Sequence, residues 1–322
     1  MGEDLKEARL VSVLMPAYKI KYLGEAIESV LNQTYKNLEL IIVNDASPED
    51  LTSVVERFQD DRIRYFVNEV NIGGEDPVNN WNKCLSYAKG EFVSLLCDDD
   101  LYEPTFIESM IALSDKYPSV NVFRARIRYV NKHHELLYLE GTSAEYLDSE
   151  DFIMHFLCNR LHLTISEWFV RRERMIECGG YYNTPMAWYA DDLSMFRFAQ
   201  KGGMVSNPEI LVTFRESGIN ISSAEGGKIA LRRLESVSFF EDEVKRLIQD
   251  ETAPYRNANL TSLKAFTKSA RTLYLERSPV SVILKVIFNR KKYRVSTNSI
   301  IRGIWMQPIR LMSRLRAKFN EA

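Results

Sequence analysis

Short apolar runs and helix-spaced apolar residues take turns through the first hundred residues. Val11–Met15 is apolar apart from Ser12 and is closed by Pro16, which predicts a buried strand. Leu23, Ile27, Val30 and Leu31 then recur at helical spacing, as far as Gln33. Leu38–Val43 predicts a second strand, ended by the turn chemistry of Asn44-Asp45-Ala46-Ser47-Pro48. A helix over residues 49–58, a strand at Ile63–Val67, the turn Asn71-Ile72-Gly73-Gly74 and a helix marked by Val78, Trp81, Leu85 and Ala88 follow. Phe92–Leu96 is a fourth strand and runs directly into Cys97-Asp98-Asp99-Asp100. Strands alternating with helices of this length predict an α/β fold: a doubly wound, mostly parallel sheet with helices on both faces.

Beyond residue 100 the alternation loosens. Phe106, Met110 and Leu113 mark a helix, and Phe123, Ala125, Ile127 and Tyr129 alternate with Arg124, Arg126 and Arg128 at strand period. A turn at Asn131–His134, a strand at Leu136–Leu139 and a helix capped by Asp148 or Ser149 come next. Residues 163–170 read as strand and Ala190–Gln200 as helix. From Lys228 the chain is mainly helical, so the expected division is a domain over residues 1–225 and a helical extension over 226–322, parting near Glu225–Gly227.

Composition changes this picture little. With 322 residues, 45% hydrophobic and 27% charged, the chain is an ordinary globular one, and a net charge of −2 gives no reason to expect nucleic acid as a partner. Its distribution is more informative. From Ser281 onward ten basic residues face Glu321 alone, a net +9 that leaves the rest at −11, so an anionic partner is expected for the tail only. Cys84, Cys97, Cys158 and Cys178 form no C-x-x-C pair, which fits a reducing compartment. The acidic start Met1-Gly2-Glu3-Asp4 is unlike a signal peptide, and no run is long enough to span a membrane. A cytoplasmic protein is expected, with membrane contact at most peripheral.

Three acidic sites carry candidate chemistry. Ligands of open α/β sheets bind beyond the carboxyl ends of the strands, so Asp98, Asp99 and Asp100 suit a hard ion such as Mg²⁺ or Mn²⁺. The structural alternative makes Asp100 the N-cap of the next helix. Asp45 can accept from a nucleobase N–H or a ribose hydroxyl, or simply open an Asx-turn. Asp191 and Asp192 either complement a helix dipole or supply a general base. His133, His134, His155 and His162 show no metal-binding spacing, and no G-x-S-x-G, G-x-G-x-x-G or Walker sequence occurs.

These elements, in this order, resemble glycosyltransferase family 2, inverting enzymes of the GT-A fold. Val11-Ser12-Val13-Leu14-Met15-Pro16-Ala17-Tyr18 is similar to the family's opening strand and Pro-x-Tyr turn, and Ala26–Tyr35 to its first helix. Glu39–Ser47 resembles the nucleoside-binding segment, Leu96–Asp100 the metal strand, and Ala190–Arg197 the helix bearing the base. The resemblance covers residues 10–223 and implies a nucleotide-binding half (1–100) and an acceptor half (101–225). It implies that Pro16, Ala17 and Tyr18 flank the base, with Asp45 on uracil or ribose. Asp98 would meet ribose or metal, Asp99 and Asp100 would serve Mn²⁺ or Mg²⁺, and Asp191 would be the general base.

The implied reaction moves a sugar from a nucleotide-diphosphate donor, a UDP-sugar, to a hydroxyl of a glycan or lipid-linked acceptor with inversion. Four positions depart from the pattern: Lys19 replaces Asn, Cys97 replaces the first Asp of Asp-x-Asp, Asn79-Asn80-Trp81-Asn82 replaces Ala-Arg-Asn, and Ser217 replaces a His. A nucleotidyltransferase shares the sheet and carboxylates but uses an early Gly-rich basic loop, which this chain lacks. An inactive nucleotide-sugar-binding protein is the non-enzyme alternative. In the tail, Ile304, Leu311 and Leu315 share a helical spacing with Arg310, Arg314 and Lys318 near another face. That pattern suits an anionic membrane surface, a packed appendage or a homodimer interface.

Overall fold

The structure is a computed structural model that describes residues 9–74, 76–218, 226–248 and 256–309. It forms two compact units: residues 1–183 with 190–218, and residues 184–189 with 219–322. The expected boundary falls at the edge of the undescribed residues 219–225.

In the first unit the strands are β1 (Val11–Ala17), β2 (Leu38–Asn44), β3 (Ile63–Val67), β4 (Phe92–Leu95), β5 (Leu101–Tyr102), β6 (Val122–Asn131), β7 (Leu136–Leu139), β8 (Tyr146–Leu147), β9 (Trp168–Arg171) and β10 (Met204–Glu216). The helices are α1 (Leu23–Leu31), α2 (Leu51–Val55), α3 (Val78–Tyr87), α4 (Phe106–Lys116), α5 (Ser149–Leu157), α6 (Arg172–Glu177) and α7 (Ala190–Ala199). They build one sheet of order β3-β2-β1-β4-β9-β6-β10-β5, with β7 added to β6 and β8 to β10. Parallel pairing joins β3, β2, β1 and β4 and again β6 and β10, while β9 runs against both of its neighbours. The expected mostly parallel α/β sheet is thus present.

Strand alternation explains the layering. Val11, Val13, Met15 and Ala17 face one side with Leu38, Leu40 and Ile42, and α1 lays Leu23, Ala26, Ile27 and Val30 against them. α3 covers the other side, where Asn80 Nδ2 donates to the Val43 carbonyl. Under the centre of the sheet Phe92 stacks on Phe169 with ring centroids 4.7 Å apart, and Phe106 and Phe123 meet Phe169 edge-on. Each such pair adds roughly 0.5–1.5 kcal/mol beyond its burial.

Three differences from the expected elements have local causes. The strand expected at 163–170 begins only at Trp168, because Glu167 Oε1 accepts from Thr164 N at 3.0 Å across a single 3-10 turn at Ile165–Glu167. The helix expected at 49–58 is confined to α2, with Asp50 accepting from Ser53 N at its start. The long strand β10 escaped the pattern, because Asn207-Pro208-Glu209 interrupts it. Its register with β6 shifts between Ser206 and Ile210, where proline has no N–H to give.

On β6 the expected division into an apolar and an arginine-bearing face is not a division into core and solvent. Arg124 is 2% exposed and its guanidinium lies between Glu140 and Glu167, 3.1 Å from the latter. Burial pushes the Glu167 carboxyl up to about 8, against the pull of Arg124 and with a push from Glu140. Arg124→Met would leave two buried carboxyls without their cation and is expected to cost about 3–5 kcal/mol. The check is a lower urea midpoint that is largely restored when Glu140→Gln and Glu167→Gln are added; an unchanged midpoint for the single variant would contradict it.

The second unit is helical: α8 (Gly227–Leu247), α9 (Arg256–Glu276), α10 (Val280–Phe288), α11 (Arg290–Tyr293) and α12 (Thr297–Trp305). Leu234, Leu275, Val282, Ile283, Val286 and Ile300 form its core. Arg271 Nη2 reaches Glu241 Oε2 at 2.7 Å between α9 and α8. The expected tail helix through Leu311, Arg314, Leu315 and Lys318 lies outside the described residues.

Candidate active site

Strand direction brings the candidate residues to one edge of the sheet. β1, β2 and β4 run the same way, so Tyr18, Asp45 and Asp98 follow their carboxyl ends. β10 is parallel to β6, and its end delivers Arg215 and Ser217 to that edge. β9 runs the opposite way, so the Ile165–Glu167 turn before it arrives there too.

The first corner joins residues 16–19 to residues 44–47. Asp45 N donates to the Ala17 carbonyl at 3.0 Å, and Ser47 Oγ to the Tyr18 carbonyl at 2.6 Å. Pro16 is half-buried, Ala17 buried and Tyr18 40% exposed. The Asx-turn belongs to Asn44, whose Oδ1 accepts from Ser47 N. Asp45 instead clasps the following turn: Oδ1 accepts from Asn68 Nδ2 at 2.8 Å and Ile72 N at 2.9 Å, and Oδ2 from Gly73 N at 2.7 Å. A Cβ on Gly73 would stand 2.8 Å from Asp45 Oδ2, so this approach requires glycine.

The acidic triplet is buried, with Asp98, Asp99 and Asp100 at 8%, 6% and 1% exposure. Asp98 Oδ2 accepts from both Tyr18 N and Lys19 N at 2.8 Å, which ties the acidic triplet to the first corner. Asp99 Oδ2 accepts from Ser217 Oγ at 2.8 Å. Asp100 accepts from Ser166 Oγ at 2.6 Å and from Arg215 N at 3.0 Å, one on each oxygen, and does not cap α4, whose N-cap is Thr105. Burial, reinforced by the neighbouring Asp99 charge, pushes Asp98 up to about 6 and Asp100 well above the usual carboxyl range.

Arg215 organises the far side of the triplet. It is fully buried, donates from Nε to the Asp99 carbonyl at 3.0 Å and from Nη2 to Glu25 Oε2 at 2.7 Å, and lies 4.0 Å from the Tyr22 ring centroid. Nη1 donates to His134 Nε2 at 2.9 Å. Sequence spacing revealed neither Arg215 and Ser166 as partners of the triplet nor Glu25 as the partner of Arg215, because all of them lie far apart along the chain.

Asp191 and Asp192 occupy the first turn of α7. Asp191 keeps part of its surface, yet burial pushes its carboxyl up to about 6 against the N–H groups of Asp192 and its own backbone. Asp192 is 7% exposed and is pushed well above its usual range by burial and then by the charges of Asp191 and Glu167. Glu167 adjoins Ser166, so the 165–167 turn lies between Asp192 and Asp100. The structure thereby brings Asp191 and Asp192 close to the triplet's surroundings.

Among the described residues, no group of three or more His, Cys, Asp or Glu side chains converges as a ready metal cage. The donor chemistry nevertheless suits a hard divalent ion. Carboxylate and hydroxyl oxygens of Asp99 and Ser217 meet at the edge, and burial together with the Asp99 charge raises the carboxyls on either side of it.

Comparisons with known proteins bear on the family and the fold. The chain is 27% identical over 314 residues to an uncharacterised glycosyltransferase of Rickettsia typhi, covering 89% of this chain and 93% of that one. Its fold is similar to that of residues 1–349 of TarS from S. aureus, solved with UDP-GlcNAc (TM-score 0.58, 16% identity, 94% of this chain and 92% of that one). It is also similar to that of a Pyrobaculum calidifontis mannosyltransferase solved with GDP-Man and Mn²⁺ (TM-score 0.57, 16% identity, 97% and 85%). The model of "Glycosyl transferase family 2" matches residues 12–180, or 169 of the 322, and with this span the chain belongs to that family.

Proposed function

We propose that this glycosyltransferase takes its sugar from a UDP-sugar and passes it, with inversion, to a hydroxyl of a glycan or lipid-linked acceptor. The observation that carries the reading is the pair of bonds from Tyr18 N and Lys19 N to Asp98, which fasten the turn after β1 to the acidic segment after β4. Pro16, Ala17 and Tyr18 flank the base. Asp45 acts through the Asn71–Gly73 turn that it clasps, setting that turn against uracil and ribose. The UDP and UDP-GlcNAc complexes of TarS support a uridine donor.

Asp99 and Ser217 would hold a divalent ion, Mn²⁺ or Mg²⁺, with Asp98 and Asp100 behind them. When bound, that ion supplies positive charge to the diphosphate leaving group. The mannosyltransferase solved with Mn²⁺ supports this part. Asp100, with both oxygens taken by protein donors, fixes the strand end rather than the ion.

Asp191 takes the acceptor hydroxyl proton as that oxygen bonds to C1 of the sugar. The C1–O bond to the diphosphate breaks on the opposite face, so the anomeric centre inverts. The reaction belongs to the cytoplasm, and a lipid-linked acceptor would hold the enzyme at the inner face of the membrane.

Binding tests the donor half directly. UDP with Mn²⁺ should raise the melting temperature by an amount that grows with the logarithm of UDP concentration above its Kd, and UDP with EDTA should raise it much less. Equal shifts would remove the metal from the account.

The pH profile tests the base. Asp191 must be ionised to accept a proton, and its carboxyl ionises only above about 6. The value of kcat/KM, which reports the free enzyme, should therefore fall about tenfold per pH unit below that point and level off above it. A flat profile down to about pH 5 would exclude Asp191 as the base.

A further inference from the structure

Helix α10 is apolar on two opposite sides, and only one of them is covered. Val282, Ile283 and Val286 enter the core of the helical unit. On the other side Val280, Leu284, Ile287 and Phe288 stand 53%, 51%, 40% and 85% exposed. Packed beside α10, α12 exposes Ile304 at 49%, and Trp305 at its end is 75% exposed. A helix that is hydrophobic all round is ordinarily covered all round.

The charges around these residues have one sign. Between Val280 and Ile309 the chain has no Asp or Glu and six Lys or Arg residues. Lys292, Arg294 and Arg302 are offset by Glu235, Asp242 and Glu276 on neighbouring helices. Lys285, Arg290 and Lys291 are exposed and have no carboxylate partner among the described residues.

The occupant must accept apolar side chains and answer three cations. A second copy related by a two-fold axis would set this cationic patch against the same cationic patch, which is repulsive. A bilayer with anionic headgroups supplies both an acyl layer for Leu284, Phe288 and Trp305 and negative charge for the lysines and arginine. We infer that the outer face of α10, with α12 beside it, docks this protein on an anionic lipid surface. The inference deepens the membrane setting proposed above and does not depend on the transfer chemistry.

Cosedimentation of the full chain with vesicles tests it, using phosphatidylcholine alone or mixed with phosphatidylglycerol. Wild type should pellet with the mixed vesicles at low salt and be released at high salt. Leu284→Glu with Phe288→Glu should lower the partition coefficient at least about tenfold, and each of Lys285→Gln and Lys291→Gln about fivefold. The substituted positions are solvent-exposed, so the melting temperature should hold. UDP-sugar hydrolysis, measured on the same samples, should not change. The docking face is overturned if wild type fails to pellet, or if the variants pellet equally. It is also overturned if the protein is a dimer that Leu284→Glu with Phe288→Glu dissociates and no vesicle binding is seen. Loss of hydrolysis in wild type would instead sink the chemical reading and leave the docking result standing.

Discussion

Asp99→Ala is expected to lower metal-dependent turnover of the nucleotide sugar by about 10³-fold or more while the protein stays folded. The size of the effect follows from the leaving group. A nucleoside diphosphate departs with two phosphates' worth of negative charge, and Asp99 with Ser217 presents the oxygen pair from which a cation would meet it. The fold should survive because Asp99 lies in the turn between β4 and β5 and its charge works against its neighbours. Its negative charge is the second cause, after burial, of the raised Asp98 and Asp100 carboxyls. Removing it relieves that repulsion, so the melting temperature should be unchanged or slightly higher. Steady-state kinetics with Mn²⁺, beside a thermal melt, is the check. Wild-type activity of the variant in EDTA would refute the role.

Asp191→Asn should lower kcat by about 10²–10⁴-fold and leave the donor KM nearly unchanged, since a general base acts on the acceptor and not on the nucleotide. Asn preserves size and part of the hydrogen bonding, so the loss measures the proton acceptor itself. Asp192→Asn should be the milder change. Asp192 is the more buried of the two, and its carboxyl is pressed by both Asp191 and Glu167, which keeps it protonated over a wider pH range. If Asp192→Asn proves crippling and Asp191→Asn mild, the two roles are exchanged.

Much of this arrangement was legible in the chain because it is local. Val11–Ala17, Leu38–Asn44 and Phe92–Leu95 are apolar runs that end in turn or acidic residues, and the strand ends set the position of Tyr18, Asp45 and Asp98. What the pattern concealed is held by long-range contacts. Arg215 meets Glu25 across 190 residues, and Ser166 meets Asp100 across 66. Neither pair has a spacing that a periodic pattern can reveal. Arg124 shows another limit: alternation marks two faces of a strand without saying which is buried, and here the arginine sits in a buried ion cluster. Asn44 and Asp45 show a finer limit. Either side chain suits an Asx-turn, and only the fold assigns the turn to Asn44 and the loop clasp to Asp45.

The most direct measurement is UDP release from a panel of UDP-sugars, followed with purified protein in Mn²⁺ and again in EDTA. The account predicts slow hydrolysis of at least one UDP-sugar in Mn²⁺, lost in EDTA and lost in Asp99→Ala. UDP binding without release from any donor, or release that is indifferent to the metal and to Asp99, would contradict it.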